Sequence, residues 1–284
     1  MRLLITGAAG MLGQDVAAVA TAAGLETVAL SRAELDVTDA GAVGDAVSSA
    51  RPRAVVNCAA WTDVDGAESD EAEALAVNGA GAGNVARAAA QAGAWTIHVS
   101  SDYVFDGTKR EPYVESDHTN PLSAYGRTKL EGERELERHA PRAHTIVRSS
   151  WLFGAGGPCF PATILRLASE RDELQVVDDQ VGRPTFTGHL ATALVELAVD
   201  DRRPPGIVHL AGGGFCSWFE FARRIVELAG LDCQVKPCTT AEMPRPAVRP
   251  AYSVLGTERR DQLPSLPGWE EGLEQYLAAR APAR

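Results

Sequence analysis

An α/β fold with a doubly wound, parallel Rossmann-type sheet is predicted by three observations. A short apolar run at residues 3–6 passes directly into Gly7-Ala8-Ala9-Gly10-Met11-Leu12-Gly13 and then into an Ala-rich helical stretch at 14–23. Strand, glycine turn and helix in that order form the opening unit of a dinucleotide-binding fold. Short apolar runs then alternate with helical segments as far as residue 149, the pattern of parallel strands joined by crossover helices. Finally, a Ser at the end of one apolar run, Ser101, precedes a Tyr and a Lys four residues apart, Tyr125 and Lys129.

The glycines are spaced G-x-x-G-x-x-G. Gly7, Gly10 and Gly13 permit a tight turn and close approach of a pyrophosphate to the backbone, with a helix N-terminus aimed at it. The second strand, 26–30, ends in Ser31-Arg32 rather than in the acidic residue that usually takes a ribose 2′-hydroxyl. Arg pairs bidentately with phosphate, so this end fits a 2′-phosphate. Leu35-Asp36-Val37-Thr38-Asp39 follows. Asp39 is expected to cap a helix running to residue 50, while Asp36 either caps a turn or meets the adenine. A third strand at 54–58 continues into Ala59-Ala60-Trp61-Thr62, whose small residues admit a ligand to the backbone.

A single long helix is expected over 68–92. Its Gly79-Ala80-Gly81-Ala82-Gly83 is poor helix material, explained either by close packing or by tolerance at the surface. The fourth strand, 95–101, delivers Ser101. A polar loop at 106–122 leads to the helix 123–138, which carries Tyr125 and Lys129 on one face. A nearby ammonium favours the phenolate, so Lys129 is expected to bring the Tyr125 pKa towards neutrality. Ser101 can hydrogen-bond the oxygen on which charge changes. Such a device suits reduction of a carbonyl or oxidation of an alcohol. A fifth strand spans 143–149.

Beyond Ser150 the alternation loosens. Helices are expected at 160–170, 188–199 and 218–229, and strands at 174–177 and 206–210. The expected organisation is a dinucleotide-binding domain over 1–150, then a mainly substrate-binding region over 151–284 with some elements returning to the sheet.

At 284 residues the chain allows one large domain or two small ones. Its net charge of −11 argues against nucleic acid as a partner. The cysteines number five and none form a C-x-x-C pair, which favours free thiols in a reducing cytoplasm and makes zinc improbable. Residues 1–6 are too short for a signal segment. No apolar run approaches the ~18 residues needed to cross a bilayer.

Several further motifs carry a resemblance. They are Val56-Asn57-Cys58-Ala59-Ala60-Trp61-Thr62 with Val64-Asp65, Ser101-Asp102-Tyr103-Val104-Phe105-Asp106-Gly107, and Tyr125-Gly126-x-x-Lys129. Arg148-x-x-Trp151-Leu152-Phe153, Val176-Val177-x-Asp179-Gln180-x-Gly182-x-Pro184-Thr185 and Arg249-Pro250-x-x-Ser253-x-Leu255 follow. With the glycine loop and Leu35–Asp39 stretch, they resemble the extended short-chain dehydrogenase/reductase superfamily and, within it, the dTDP-4-dehydrorhamnose reductase family, over nearly the whole chain.

The resemblance implies catalysis by Ser101, Tyr125 and Lys129, with Tyr125 the proton donor. It implies NADPH as cofactor, without excluding NADH, lined by Met11, Leu12, Asp36, Val37, Ala59, Ala60 and Thr62 beside the glycines, Ser31 and Arg32. It implies a dTDP-linked keto sugar against Ser101, Asp102, Tyr103, Trp151 and Gln180. Trp151 and Gln180 also fit simple packing roles, and the Arg249-Pro250 tail a structural one. Many relatives carry Thr where this chain has Ser101, and the hydroxyl is retained. Some relatives hold magnesium through a carboxylate that Asp15 matches and through others on a later helix, where this chain offers only His189 before Glu196. That is a poor set for a hard cation, so no metal is expected. The chain is expected to be a monomer or homodimer with no membrane partner. The competing expectations are a reductase of a related deoxysugar for antibiotic synthesis and a non-catalytic NADP-binding regulatory subunit.

Overall fold

A computed structural model of the chain describes residues 1–280. β1 (Arg2–Thr6) enters α1 (Met11–Ala22) through the glycine turn, so Met11, Leu12 and Gly13 already belong to the first helical turn. β2 (Glu26–Leu30) and a turn-rich segment lead to α2 (Ala40–Ala50). Asp39 caps α2, accepting from the Gly41 and Ala42 amides at 2.9 and 3.0 Å. β3 (Ala54–Asn57) follows.

The expected single helix over 68–92 is broken near its start: α3 (Gly66–Ser69) stands apart, and α4 (Glu71–Leu75), a π-helical stretch (Ala76–Gly81) and α5 (Ala82–Gln91) then run on without interruption. The break falls at Asp70, whose φ of −126° and ψ of 45° are not helical. Within the π turns Asn78 is buried. Its Oδ1 accepts from the Trp61 amide at 2.9 Å and its Nδ2 donates to the Trp61 carbonyl and to Thr128 Oγ1. Close packing explains the small residues, because a Cβ on Gly81 would lie 2.8 Å from Val37 Cγ2 and one on Gly83 2.6 Å from Glu135 Oε2.

β4 (Trp95–Ser101), a 3₁₀ turn at Asp102–Val104, α6 (Ala124–His139) and β5 (His144–Ser149) come next. The C-terminal part contains β6 (Leu152–Phe153), α7 (Phe160–Glu170), β7 (Glu173–Val177), β8 (Val181–Gly182), β9 (Thr185–Phe186) and α8 (Thr187–Val199). After them come β10 (Gly206–His209), β11 (Cys216–Ser217), α9 (Trp218–Ala229), β12 (Gln234–Cys238) and α10 (Trp269–Arg280). Sequence reading had not marked β12 or α10. β12 is a short strand that contains Pro237 and pairs only with β7.

Six strands form one all-parallel sheet in the order β2-β1-β3-β4-β5-β10. Both faces are covered, as parallel sheets require. Leu3 and Ile5 turn to the side of α1 and α8, packing with Val16, Leu190 and Leu194. Leu4 turns to the side of α2 and α5, with Val43, Val47 and Val85. A second core of Phe153, Ile164, Leu174, Phe221, Leu273 and Tyr276 is built by α7, α9, α10 and the short strands. The direction of chain progression reverses between β1 and β3, so the carboxyl ends of these strands flank a crevice.

Candidate functional site

That crevice is a cleft of about 730 Å³. Gly7 stands at its base with φ +65°, and a Cβ there would come within 2.6 Å of the Ala59 backbone nitrogen. Only glycine lets the β1 turn and the β3 exit approach this closely. A Cβ on Gly13 would likewise meet the Gly7 carbonyl oxygen at 2.3 Å.

The walls gather residues far apart in the chain. Gly7, Gly10, Met11, Leu12 and Gly13 come from the glycine turn, Arg32, Asp36 and Val37 from beyond β2, and Ala59, Ala60 and Thr62 from beyond β3. Ser101, Asp102, Tyr103, Tyr125, Lys129 and Trp151 line the other part of the same cleft. Two predicted residues are not among the lining groups. Ser31 gives its hydroxyl to the Glu34 carboxylate at 2.7 Å. Gln180 is buried and donates to Thr240 Oγ1 at 2.9 Å. Asp36 does cap a turn, with Oδ1 accepting from the Thr38 amide and hydroxyl at 2.9 and 2.8 Å, while still facing the cleft. Those bonds hold its carboxyl below the usual range.

At the Ser101 end, Ser101 Oγ donates to Asp102 Oδ1 at 3.0 Å and accepts from the Tyr103 amide at 3.1 Å. The Tyr103 and Tyr125 rings meet edge to face at 5.5 Å. Lys129 is buried and its Nζ donates to the Val99 carbonyl at 2.7 Å.

The electrostatics differ from the sequence expectation in one respect. Lys129 does not bring the Tyr125 hydroxyl towards neutrality: loss of water pushes it up to about 12, only partly opposed by the Ser101 hydroxyl. Lys129 itself is pushed down to about 8 by burial, opposed by the negative charge of Glu133. At neutral pH the site therefore holds a phenol beside an ammonium.

Trp218 lines the cleft too and was not singled out in the sequence. Its indole stacks on that of Trp151 at 3.5 Å and 3°. Trp151 has φ +48°, uncommon for so bulky a residue, and a Cβ on Gly182 would lie 2.3 Å from its ring. The Trp pair is thus packed and cleft-lining at once. The signal for Trp218 was its place at the first position of α9, directly after Ser217, the N-cap with a reciprocal Glu220 bond. In the tail, Arg249 forks onto the Asp65 carboxylate at 2.7 and 2.9 Å, fastening the tail to the loop beyond β3. Among the described residues no group of three His, Cys, Asp or Glu side chains is placed to hold a metal ion.

The family described as RmlD substrate binding domain matches residues 1–281. A dTDP-4-dehydrorhamnose reductase of Streptomyces griseus is 45% identical over 262 residues, 91% of this chain and 86% of that protein. A dTDP-4-keto-6-deoxy-D-glucose reductase of Streptomyces niveus is 41% identical, covering 96% of each. The crystal structure of dTDP-4-dehydrorhamnose reductase from Bacillus anthracis in complex with NADP superposes with a TM-score of 0.94, at 36% identity, covering 98% of this chain and 99% of that one.

Asp102 is 1% exposed, and the hydroxyls of Ser253 and Ser101 bond its carboxylate. Burial pushes its carboxyl from 3.8 up to about 6. The folded protein thus keeps this proton up to about pH 6, whereas the unfolded chain releases it near 3.8. Folded protein holds more protons in that window, so stability falls as pH rises through it and the cost is fully present above about 6. Asp102→Asn is expected to be more stable than the parent at neutral pH, by up to about 3 kcal/mol. The gain should vanish towards pH 4 in urea unfolding monitored by circular dichroism. A variant destabilised at neutral pH would contradict this.

Proposed function

The chain belongs to the RmlD substrate binding domain family, and on that premise we propose the part each cleft residue plays in an NADPH-dependent reductase of dTDP-4-keto-6-deoxy sugars. The reaction is reduction of the C4 keto group of dTDP-4-dehydro-β-L-rhamnose to give dTDP-L-rhamnose. The observation that carries the assignment is one cleft joining a glycine-turn dinucleotide site to Ser101, Tyr125 and Lys129.

The residues fit the dinucleotide. The glycine turn and the N-terminus of α1 supply amides and a favourable dipole for the pyrophosphate. Arg32 takes the 2′-phosphate, Asp36 and Val37 lie at the adenine end, and Ala59, Ala60 and Thr62 give the backbone surface along which the cofactor runs. NADPH, when bound, supplies the hydride to C4. The Ser101 hydroxyl, turned from Asp102 when substrate is bound, donates its one proton in a hydrogen bond to the carbonyl oxygen as negative charge grows there. Tyr125, a phenol throughout the physiological range, gives its proton to that oxygen. Lys129 holds the nicotinamide ribose and stabilises the phenolate left behind. The raised Tyr125 pKa suits this direction of reaction, because a reductase needs its acid loaded.

The Asp102 carboxylate and the ring of Tyr103 face the sugar, and the stacked Trp151 and Trp218 form an apolar wall against it. A second substrate reading, a related keto sugar of an antibiotic pathway, is favoured by the likeness to the Streptomyces niveus protein. A cytoplasmic location is supported by the five cysteines, all unpaired.

Tyr125→Phe is expected to lower turnover by about 10²–10⁴-fold, the usual value of a positioned general acid, with NADPH affinity unchanged. NADPH oxidation with the keto sugar, and cofactor binding by fluorescence, measure the two. Near-parent turnover would overturn the assignment. Arg32→Ala is expected to weaken NADPH by about ten- to a hundredfold, one charge-assisted contact, and to leave NADH nearly unchanged. Equal losses for both cofactors in KM measurements would remove Arg32 from the 2′-phosphate.

A further inference from the structure

α6 carries Tyr125, Lys129 and Glu133 at successive four-residue steps, so the three side chains stand in a row on one face. The first two act in the reaction as proposed above, and the inference rests on that reading. Glu133 does not line the cleft, and it is 2% exposed. Its carboxylate nevertheless gathers three donors. Arg148, also 2% exposed, gives Nε at 2.8 Å and Nη2 at 2.6 Å, and Ser100 gives its hydroxyl at 2.5 Å. Ser100 lies between Val99, whose carbonyl receives Lys129, and Ser101. A buried ion pair adds little net stability over an apolar pair of the same volume, so stability alone does not account for a fully ionic cluster directly beneath the reacting groups.

The surroundings of Lys129 sharpen the point. Tyr125 and Glu133 face it from α6, Cys58 from beyond β3, His98 from β4, and Asp102 follows the end of β4. Arg148 on β5 stands behind Glu133. Burial keeps Cys58 a thiol and His98 neutral. Glu133 is the carboxylate that opposes the desolvation of Lys129.

We propose that Glu133 is a positioning residue for the reduction: its charge holds Lys129 as the ammonium, and its bond to Ser100 keeps that ammonium in register with Ser101.

The test is the pH profile of kcat/KM for NADPH with the keto sugar, between about pH 6 and about pH 10 so that both limbs are sampled. Four proteins are compared with the parent: E133Q, E133Q/R148M, S100A and Tyr125→Phe. In the parent, activity should fall on the basic side as Lys129 loses its proton near pH 8, to which burial lowers it. In E133Q that limb should move down by about one to two pH units, the effect of removing a unit charge one helical turn away in a partly screened interior. In E133Q/R148M it should also lie below the parent limb, but by less, because the opposing guanidinium is gone. This paired variant leaves no lone charge in the core and decides the matter if E133Q does not fold. S100A should lower kcat without moving the limb, and an unchanged kcat would overturn the register role. A limb at the parent position in folded E133Q or E133Q/R148M overturns the charge role, since a merely structural Glu133 lowers the whole profile without shifting it. If Tyr125→Phe is inactive while the limb stays put, only this inference fails. If Tyr125→Phe is active, the underlying site assignment fails as well.

Discussion

The geometry of the reacting end depends on how α6 is held against β4 and β5. Tyr125 and Lys129 are fixed to each other by helical spacing, but Ser101 belongs to a different element. What joins them is a small set of buried polar bonds: Lys129 to the Val99 carbonyl, Ser100 to Glu133, and Glu133 to Arg148. Gly126 and Gly132 let the helix approach, since a Cβ on either would lie within 2.3 Å of a backbone oxygen, of Tyr103 in one case and Asn78 in the other. Backbone proximity and buried charge thus act together, and neither alone would set the distance between the Ser101 hydroxyl and the Tyr125 phenol.

The same burial that organises the site also sets its protonation states. Removing water raises the phenol of Tyr125 and the carboxyl of Asp102 and lowers the ammonium of Lys129. Each shift moves the group towards its neutral form, as desolvation must. At neutral pH Tyr125 stays a phenol, while Lys129 is brought near its titration and is opposed in that by the negative charge of Glu133. At Asp102 the buried charge costs stability at neutral pH.

Much of this was legible in the sequence, and the boundary of legibility has a physical basis. The glycine turn, Ser101 at a strand end and the Tyr125–Lys129 pair depend on local spacing, which the chain displays directly. Arg32 and Asp36 were readable for the same reason, as the residues that a dinucleotide fold brings to the end of β2. The long helix over 68–92 was read without its break at Asp70 or its π turns, because helical periodicity reveals neither; the π turns point Asn78 at Trp61 and Thr128. Gln180 lies in a motif typical of the family, yet its side chain is turned to Thr240. Trp218 and Glu133 escaped notice because their roles arise only when α9 meets Trp151 and when β5 brings Arg148 beneath α6. The expected fall of the Tyr125 pKa failed because it counted the nearby charge and not the loss of water.

The state of Tyr125 is therefore where the chemistry is most directly open to measurement. Ionisation of the tyrosines can be followed by ¹³C NMR of ring-labelled protein, with Tyr125 identified by the signal absent from Tyr125→Phe. A Tyr125 phenol that persists beyond about pH 10, the value of a free phenol, is the expected result and agrees with a hydroxyl pushed up to about 12. A Tyr125 phenolate appearing near neutral pH would contradict it, and would mean that the charge of Lys129 outweighs desolvation at the centre of this site.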